Sequence, residues 1–245
     1  MTKPQFTYMY QSHLDLFWLG GFHTCLEQGN RVIKEYTDRC VEQEDESYLI
    51  ETVVFLRHFL RSYPQYAETI RELWKQGRID IGCAFVDVWQ NLVLGESHIR
   101  NIVIGRKWLQ RVLGIDSRMA VHPDLPGLTA QTPQIYARAG VDSYVTARKI
   151  FKDGQVWVYR APDGSSLLVL NQPIHYDFRP FADDDTIDFN REWGVIDPER
   201  TLKGFPLGRV LLSAGSSDLT TMDIFEERIG RPAKDVIEGY RKRYP

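Results

Sequence analysis

Short apolar runs of strand character alternate with helical segments along most of the chain, and this alternation is the strongest constraint on its fold. A turn signal, "APDGS" at 161–165, joins two more such runs into a hairpin that interrupts the alternation. Alternating strands and helices predict a mostly parallel sheet with right-handed crossovers. Because no glycine-rich dinucleotide motif accompanies the pattern, it favours a mostly parallel seven-stranded β/α barrel over a Rossmann sheet. The single runs lie at 6–12, 48–52, 78–84, 118–122, 143–147 and 209–214.

The chain has 245 residues, enough for one large domain, and no repeat, low-complexity tract or linker divides it. We therefore expect a single barrel domain over 1–245. A formal net charge of −3 gives no case for a nucleic-acid or membrane partner, and no apolar run is long enough to predict a transmembrane helix. The three cysteines are odd in number and form no CxxC pair, which indicates a reduced, cytoplasmic protein.

The segment "SHLDLFW" follows the first predicted strand and places His13 and Asp15 two residues apart. Alternate residues of an extended segment point the same way, so the imidazole and the carboxylate share a face. Such a pair is typical of a zinc site. The alternative is a buried, hydrogen-bonded histidine beside a helix-capping aspartate.

A second candidate, Asp124, stands just after the fourth single run in "VHPDLPGLTAQ". If the strands are parallel, its carboxylate lies on the same rim as His13 and Asp15. The alternative is an ordinary turn, because Pro-Asp and Pro-Gly pairs are common in loops.

Together these segments resemble the catalytic domain of glycoside hydrolase family 38, the retaining α-mannosidases. "SHLDLFW" is followed by "PDLPGLTAQTPQIYARAGVDSYVTAR", and the stretch "WKQGRIDIGCAFVDVWQNLVLGESHIRNIVIGRKWL" between them is also similar to that family. The resemblance runs from about residue 6 to about 218. It implies a barrel of the glycoside hydrolase and deacetylase type, a carbohydrate substrate of the α-mannoside class, and one zinc ion in the sugar site.

The resemblance also implies roles for individual residues. His13 and Asp15 match two zinc ligands, and Asp124 matches an aspartate that is both a ligand and the catalytic nucleophile. Retention needs a carboxylate nucleophile and a carboxylic acid on opposite sides of the glycosidic bond. Trp18 matches an aromatic residue that packs against the sugar, and Tyr176, in "PIHYDF", matches a substrate-binding tyrosine.

Arg148, in "VTARK", matches a basic substrate-site position beside the nucleophile, where a guanidinium would keep Asp124 ionised. The general acid is less clear, because "LLSAGSSDLTTMD" has Ser216 and Ser217 where acidic or glycine residues are expected. Asp218 is the nearest carboxylate and is therefore the candidate catalytic acid.

The family's last zinc ligand is a histidine in a later helical region, and only His122 and His175 suggest themselves as substitutes. We therefore expect a chain that lacks the family's downstream helical and β-sandwich domains, and a homo-oligomer also stays open. Two alternatives remain: a deacetylase-like metal hydrolase on the same fold, and a non-catalytic carbohydrate-binding or inactive fragment.

Overall fold

A computed structural model of the chain describes residues 5–125, 127–148, 156–172, 176, 209–213 and 218–243, which form eight strands and seven helices. The strands are β1 (Gln5–Met9), β2 (Tyr48–Ile50), β3 (Ile79–Ile81), β4 (Met119–Val121), β5 (Ser143–Thr146), β6 (Val156–Arg160), β7 (Ser166–Asn171) and β8 (Arg209–Ser213). The helices are α1 (Phe22–Glu42), α2 (Val53–Ser62), α3 (Tyr66–Lys75), α4 (Gly95–Leu113), α5 (Thr132–Arg138), α6 (Met222–Ile229) and α7 (Ala233–Arg243).

The strands are mostly parallel and form three hydrogen-bonded sheets. One sheet holds β1 and β8, a second holds β2 and β3, and the third has the order β4-β5-β7-β6. Further backbone bonds connect them: the N–H of Leu49 donates to the carbonyl of Tyr10 at 2.9 Å, and that of Cys83 donates to the carbonyl of Met119 at 2.8 Å. The strands therefore follow the order β8-β1-β2-β3-β4-β5-β7-β6.

The predicted α/β class is confirmed, whereas the closed seven-stranded barrel is not. Within the described part of the chain, no strand pairing closes the order into a ring. Among the described strands, β8 and β6 are the two ends of this order, and β6 is antiparallel to its neighbour β7.

The core lies between the strands and the long helices. All three residues of β2 are buried, as expected for a parallel strand that is covered on both faces. Gly29 of α1 faces the ring of Phe55 on α2, and this contact lets the two helices approach closely. Cys25, Cys40 and Cys83 are free thiols, and all three are buried. None of the described helices has both the length and the apolar character needed to cross a membrane.

The parallel pairing of β1 with β8 brings the chain segments that follow these strands together. The N–H of Leu219 donates to the carbonyl of His13 at 2.8 Å, and the N–H of Thr220 donates to Oγ of Ser12 at 3.1 Å. The carboxylate of Glu35 on α1 accepts the first N–H groups of α6, with Met222 at 3.0 Å. The segment that leads from β8 into α6 is thus fixed on both sides.

Candidate metal centre and active site

Three side chains that can bind a metal converge where β1 and β8 end. His13, Asp15 and Asp218 each offer one ligand atom, and these atoms all lie within 4.8 Å of one another. The imidazole of His13 is 1% exposed, while the two carboxylates are partly exposed. Nε2 of His13 lies 3.2 Å from Oδ1 of Asp15, so that ring nitrogen faces the cluster.

The other ring nitrogen of His13 is held by a buried carboxylate. Oε2 of Glu51, just after β2, lies 2.9 Å from Nδ1 of His13 and accepts the N–H of Leu14 at 3.0 Å. Oε1 of Glu51 accepts a hydrogen bond of 2.9 Å from Nε2 of Gln11. Burial by itself would lower the pKa of His13, but the carboxylates of Glu51 and Asp15 outweigh it and raise the pKa well above its usual value.

The chemistry of this donor set fits a divalent metal ion. Zinc binds imidazole nitrogen and carboxylate oxygen, and catalytic zinc sites use three protein ligands with one position left open. Histidines that bind metals commonly donate their second N–H to a carboxylate, as Nδ1 of His13 does toward Glu51. A site that is formed by His13, Asp15 and a further carboxylate is therefore suited to a metal on chemical grounds.

Asp124 and Arg148 form an ion pair near the ends of the neighbouring strands β4 and β5. The guanidinium of Arg148 contacts Oδ1 of Asp124, whose side chain is 22% exposed. The two segments are also linked by a backbone bond of 3.1 Å from the N–H of Ala147 to the carbonyl of Pro123. Among the described residues, the group of potential metal ligands consists of His13, Asp15 and Asp218, and Asp124 is not part of it.

Of the two candidate sugar-binding aromatics, Tyr176 contacts the cluster and Trp18 follows Asp15 by three residues along the chain. The ring of Tyr176 is buried and lies 4.8 Å from the imidazole of His13, centroid to centroid. Trp18 is 66% exposed, in the loop between Asp15 and α1. A flat, exposed indole beside a polar cluster is suited to stacking on a sugar ring.

Backbone strain marks both segments that carry the cluster. Among the described residues, the non-glycine residues with a positive φ are Phe17, at 68°, and Leu219, at 50°. One follows Asp15 by two residues and the other follows Asp218 directly. Bulky residues rarely adopt this conformation, and strain of this kind concentrates at functional sites.

A second polar network lies beneath the turn that carries Asp124. Nδ1 of His122 lies 2.5 Å from Oδ1 of Asp87, and the hydroxyl of Tyr136 lies 2.8 Å from Nε2 of the same ring. Gln90 donates to the hydroxyls of Tyr136 and Tyr144. His122 is completely buried and both of its ring nitrogens have partners, so it does not serve as a further metal ligand.

The remaining candidates from the sequence are His175, Ser216 and Ser217, and all three lie outside the described residues. Glu51 organises the cluster through its bonds to Gln11, His13 and Leu14, and no motif in the sequence pointed to it. A signal for it existed, because Glu51 follows a short buried strand at the same rim as Asp15.

Comparison with known proteins gives the relatives of this chain. The model of the glycosyl hydrolases family 38 N-terminal domain matches residues 3–221. Alpha-mannosidase G from Dictyostelium discoideum is 26% identical over 165 residues, which are 64% of this chain and 15% of that protein. The matched part of the chain therefore covers only 15% of the length of this curated relative.

Solved structures share the fold. An alpha-mannosidase from Enterococcus faecalis V583 superposes with a TM-score of 0.68 at 16% identity, covering 99% of this chain and 30% of the other. A Mycobacterium smegmatis protein described as a polysaccharide deacetylase superposes with a TM-score of 0.52 at 12% identity, covering 96% of this chain and 92% of the other. At such low identities these similarities establish the fold alone.

Proposed function

Since this chain belongs to glycosyl hydrolase family 38, we propose that it is the zinc-dependent catalytic domain of a retaining α-mannosidase-like hydrolase that acts on α-mannosides. The observation that carries the proposal is the convergence of His13, Asp15 and a further carboxylate after the C-terminal ends of parallel strands, where the Asp124–Arg148 ion pair also follows its strands. The names of relatives such as Alpha-mannosidase G support the substrate class.

In this proposal His13 and Asp15 would hold the zinc together with a third carboxylate. The resemblance implies Asp124 for that place, whereas the geometry of the cluster favours Asp218. The bound ion would supply Lewis acidity toward two adjacent sugar hydroxyls. Asp124 attacks the anomeric carbon while the glycosidic C–O bond breaks and the aglycone oxygen leaves with a proton from a general acid; water then hydrolyses the glycosyl–Asp124 ester. The guanidinium of Arg148 orients the attacking carboxylate. Two roles are open to Asp218. The sequence favours that of the general acid, and its short distance to His13 and Asp15 equally suits a metal ligand.

The substrate would lie against aromatic surfaces. Trp18 offers its indole face to the sugar ring, and Tyr176 lies against His13, so that its ring excludes water from one side of the imidazole. We also propose a single α/β domain over 1–245, supported by the family match at 3–221, and a cytoplasmic location, supported by the three buried thiols.

The experiment is hydrolysis of 4-nitrophenyl α-mannoside by the chelator-treated chain, with and without added zinc. The aryl leaving group needs little protonation, so the assay reports on nucleophile and metal. We expect slow, zinc-dependent turnover that Asp124→Asn reduces at least about 1,000-fold. Asp142→Asn is the matched control. Asp142 forms an exposed ion pair with Arg118 at the N-terminal ends of β4 and β5, whereas Asp124 and Arg148 follow the C-terminal ends of these strands.

A covalent label gives a second readout that does not need fast turnover. A fluorinated α-mannosyl fluoride should add one sugar to the peptide that contains Asp124, as detected by mass spectrometry. Zinc-independent turnover, or labelling of another residue, would contradict the proposal. Sugar binding without turnover or label would instead identify a non-catalytic carbohydrate-binding domain.

One observation favours a second candidate, a deacetylase-like metal hydrolase on the same fold. Asp124 lies outside the group formed by His13, Asp15 and Asp218, and in this candidate its carboxylate would act as a base toward water rather than as a metal ligand. The structural similarity to the Mycobacterium smegmatis protein is consistent with this chemistry. Metal-dependent release of acetate from N-acetylated oligosaccharides, without cleavage of α-mannosides, would support this candidate.

A further inference from the structure

We propose that Asp218 is a direct ligand of the metal, so that His13, Asp15 and Asp218 form a three-ligand set. This inference deepens the proposed function, because it rests on the presence of a metal in that site. It gives Asp218 a different role from the general acid that the sequence favours.

The register of β1 and β8 brings Asp218 to the site. Met9 pairs with Ser213 at the end of the ladder, so the two segments leave the sheet at the same level. His13 follows four residues after Met9, and Asp218 follows five residues after Ser213. The bond from the N–H of Leu219 to the carbonyl of His13 then fixes the two segments side by side.

The backbone at Leu219 is held in a conformation that favours this placement of Asp218. Its φ of 50° is unfavourable for leucine, and its side chain is 6% exposed. Core packing of Leu219 therefore maintains the turn. The preceding residue, Asp218, is directed toward His13 and Asp15 as a result, within the 4.8 Å that joins the three ligand atoms.

The histidine of the set is already oriented as a ligand. Glu51 holds Nδ1 of His13, and Nε2 faces the cluster. Two carboxylates brought this close repel each other, and a divalent cation between them removes the repulsion. One neutral imidazole and two carboxylates also balance the charge of a zinc ion, and three protein donors leave a position open for substrate.

The test measures metal binding directly, without any sugar. Zinc affinity is determined by competition with a chromophoric chelator, and cobalt(II) is titrated as a spectroscopic probe. For Asp218→Asn we expect at least a 100-fold weaker zinc affinity than for the unaltered chain, because loss of a direct ligand exceeds the roughly 10–100-fold cost of losing a supporting residue. The visible cobalt spectrum should also change.

Asp223→Asn is the matched control, since Asp223 is an exposed aspartate five residues further along the same segment and bonds locally to Thr221. It should bind zinc within threefold of the unaltered chain. Circular dichroism checks that each variant is folded. If Asp218→Asn does not fold, Asp218→Glu provides the second variant, which keeps a carboxylate donor and should retain most of the affinity.

The outcomes separate this inference from the proposed function. Undiminished zinc affinity in Asp218→Asn, together with a large loss in Asp124→Asn, would assign the third position to Asp124 and overturn the inference. No metal binding by the chain would overturn it as well. A strong dependence of metal affinity on Asp218 in a chain that cleaves no α-mannoside would leave the inference standing while the proposed function fails.

Discussion

Oε2 of Glu51 lies 2.9 Å from Nδ1 of His13, while Nε2 of the same ring faces Asp15. A buried carboxylate after β2 therefore fixes the orientation of an imidazole that follows β1. The same carboxylate also accepts bonds from Gln11 and from the N–H of Leu14, so it ties together the whole segment that carries the histidine.

Glu51→Gln should weaken zinc affinity by about 10–100-fold, because an amide cannot accept all the bonds that the carboxylate accepts. Chelator competition measures the change. Glu42→Gln is the control, since Glu42 is an exposed carboxylate at the C-terminal end of α1, whereas Glu51 is buried against His13. Equal zinc affinities for the two variants would mean that Glu51 has no supporting role toward the metal.

His98 should make the fold less stable in mild acid. Burial, with a smaller contribution from His122, lowers the pKa of His98 from 6.5 to about 4. Between these values the unfolded chain binds a proton that the folded chain does not, so the free energy of unfolding falls as pH decreases from about 6.5 to 4. The linkage amounts to roughly 3 kcal/mol when it is complete.

The variant His98→Phe removes this titration and keeps a ring against Tyr136. Urea denaturation at several pH values between 4 and 7 should therefore show a shallower loss of stability in the variant than in the unaltered chain. Parallel curves for the two proteins would show that His98 takes up a proton in the folded state as readily as in the unfolded state.

Gly105 of α4 should tolerate no side chain. A Cβ there would overlap the carbonyl oxygen of Cys83 and lie 2.8 Å from the backbone nitrogen of Phe85, and neither backbone atom can move away cheaply. Gly105→Ala should lower the free energy of unfolding by about 3 kcal/mol. At Gly95, in the same helix, a Cβ meets nothing within 4 Å, so Gly95→Ala should be neutral or stabilise by up to about 1 kcal/mol. Denaturant titration measures the free energy of unfolding of both variants. Equal changes for Gly105→Ala and Gly95→Ala would refute the close packing of α4 at Gly105.

Trp18→Ala should weaken sugar binding without a large effect on stability. The indole is 66% exposed, so its removal should change the free energy of unfolding by no more than about 0.5 kcal/mol. Calorimetric titration with methyl α-mannoside should show the weaker binding. Trp89→Ala is the matched control, because Trp89 is 58% exposed in a different loop. If only Trp89→Ala weakens binding, the sugar stacks on that loop instead.

Much of the secondary structure could be read from the sequence, because strands and helices depend on local periodicity. Each predicted run overlaps one of the strands β1 to β8, and the hairpin signal at 161–165 joins β6 to β7. Helix α1 received no assignment, although Leu26, Ile33 and Tyr36 recur at helical spacing and are buried. Local patterns do not determine whether a sheet closes, which depends on how its two edge strands are placed.

The sequence by itself also determined that His13 and Asp15 share a face, since alternate residues of an extended segment point the same way. Only the tertiary structure decided what completes the cluster. Glu51 reaches His13 because β1 lies beside β2, and Asp218 joins them because β8 pairs with β1 from about 200 residues away. Such contacts depend on strand order and register over the whole fold, and no local pattern encodes them.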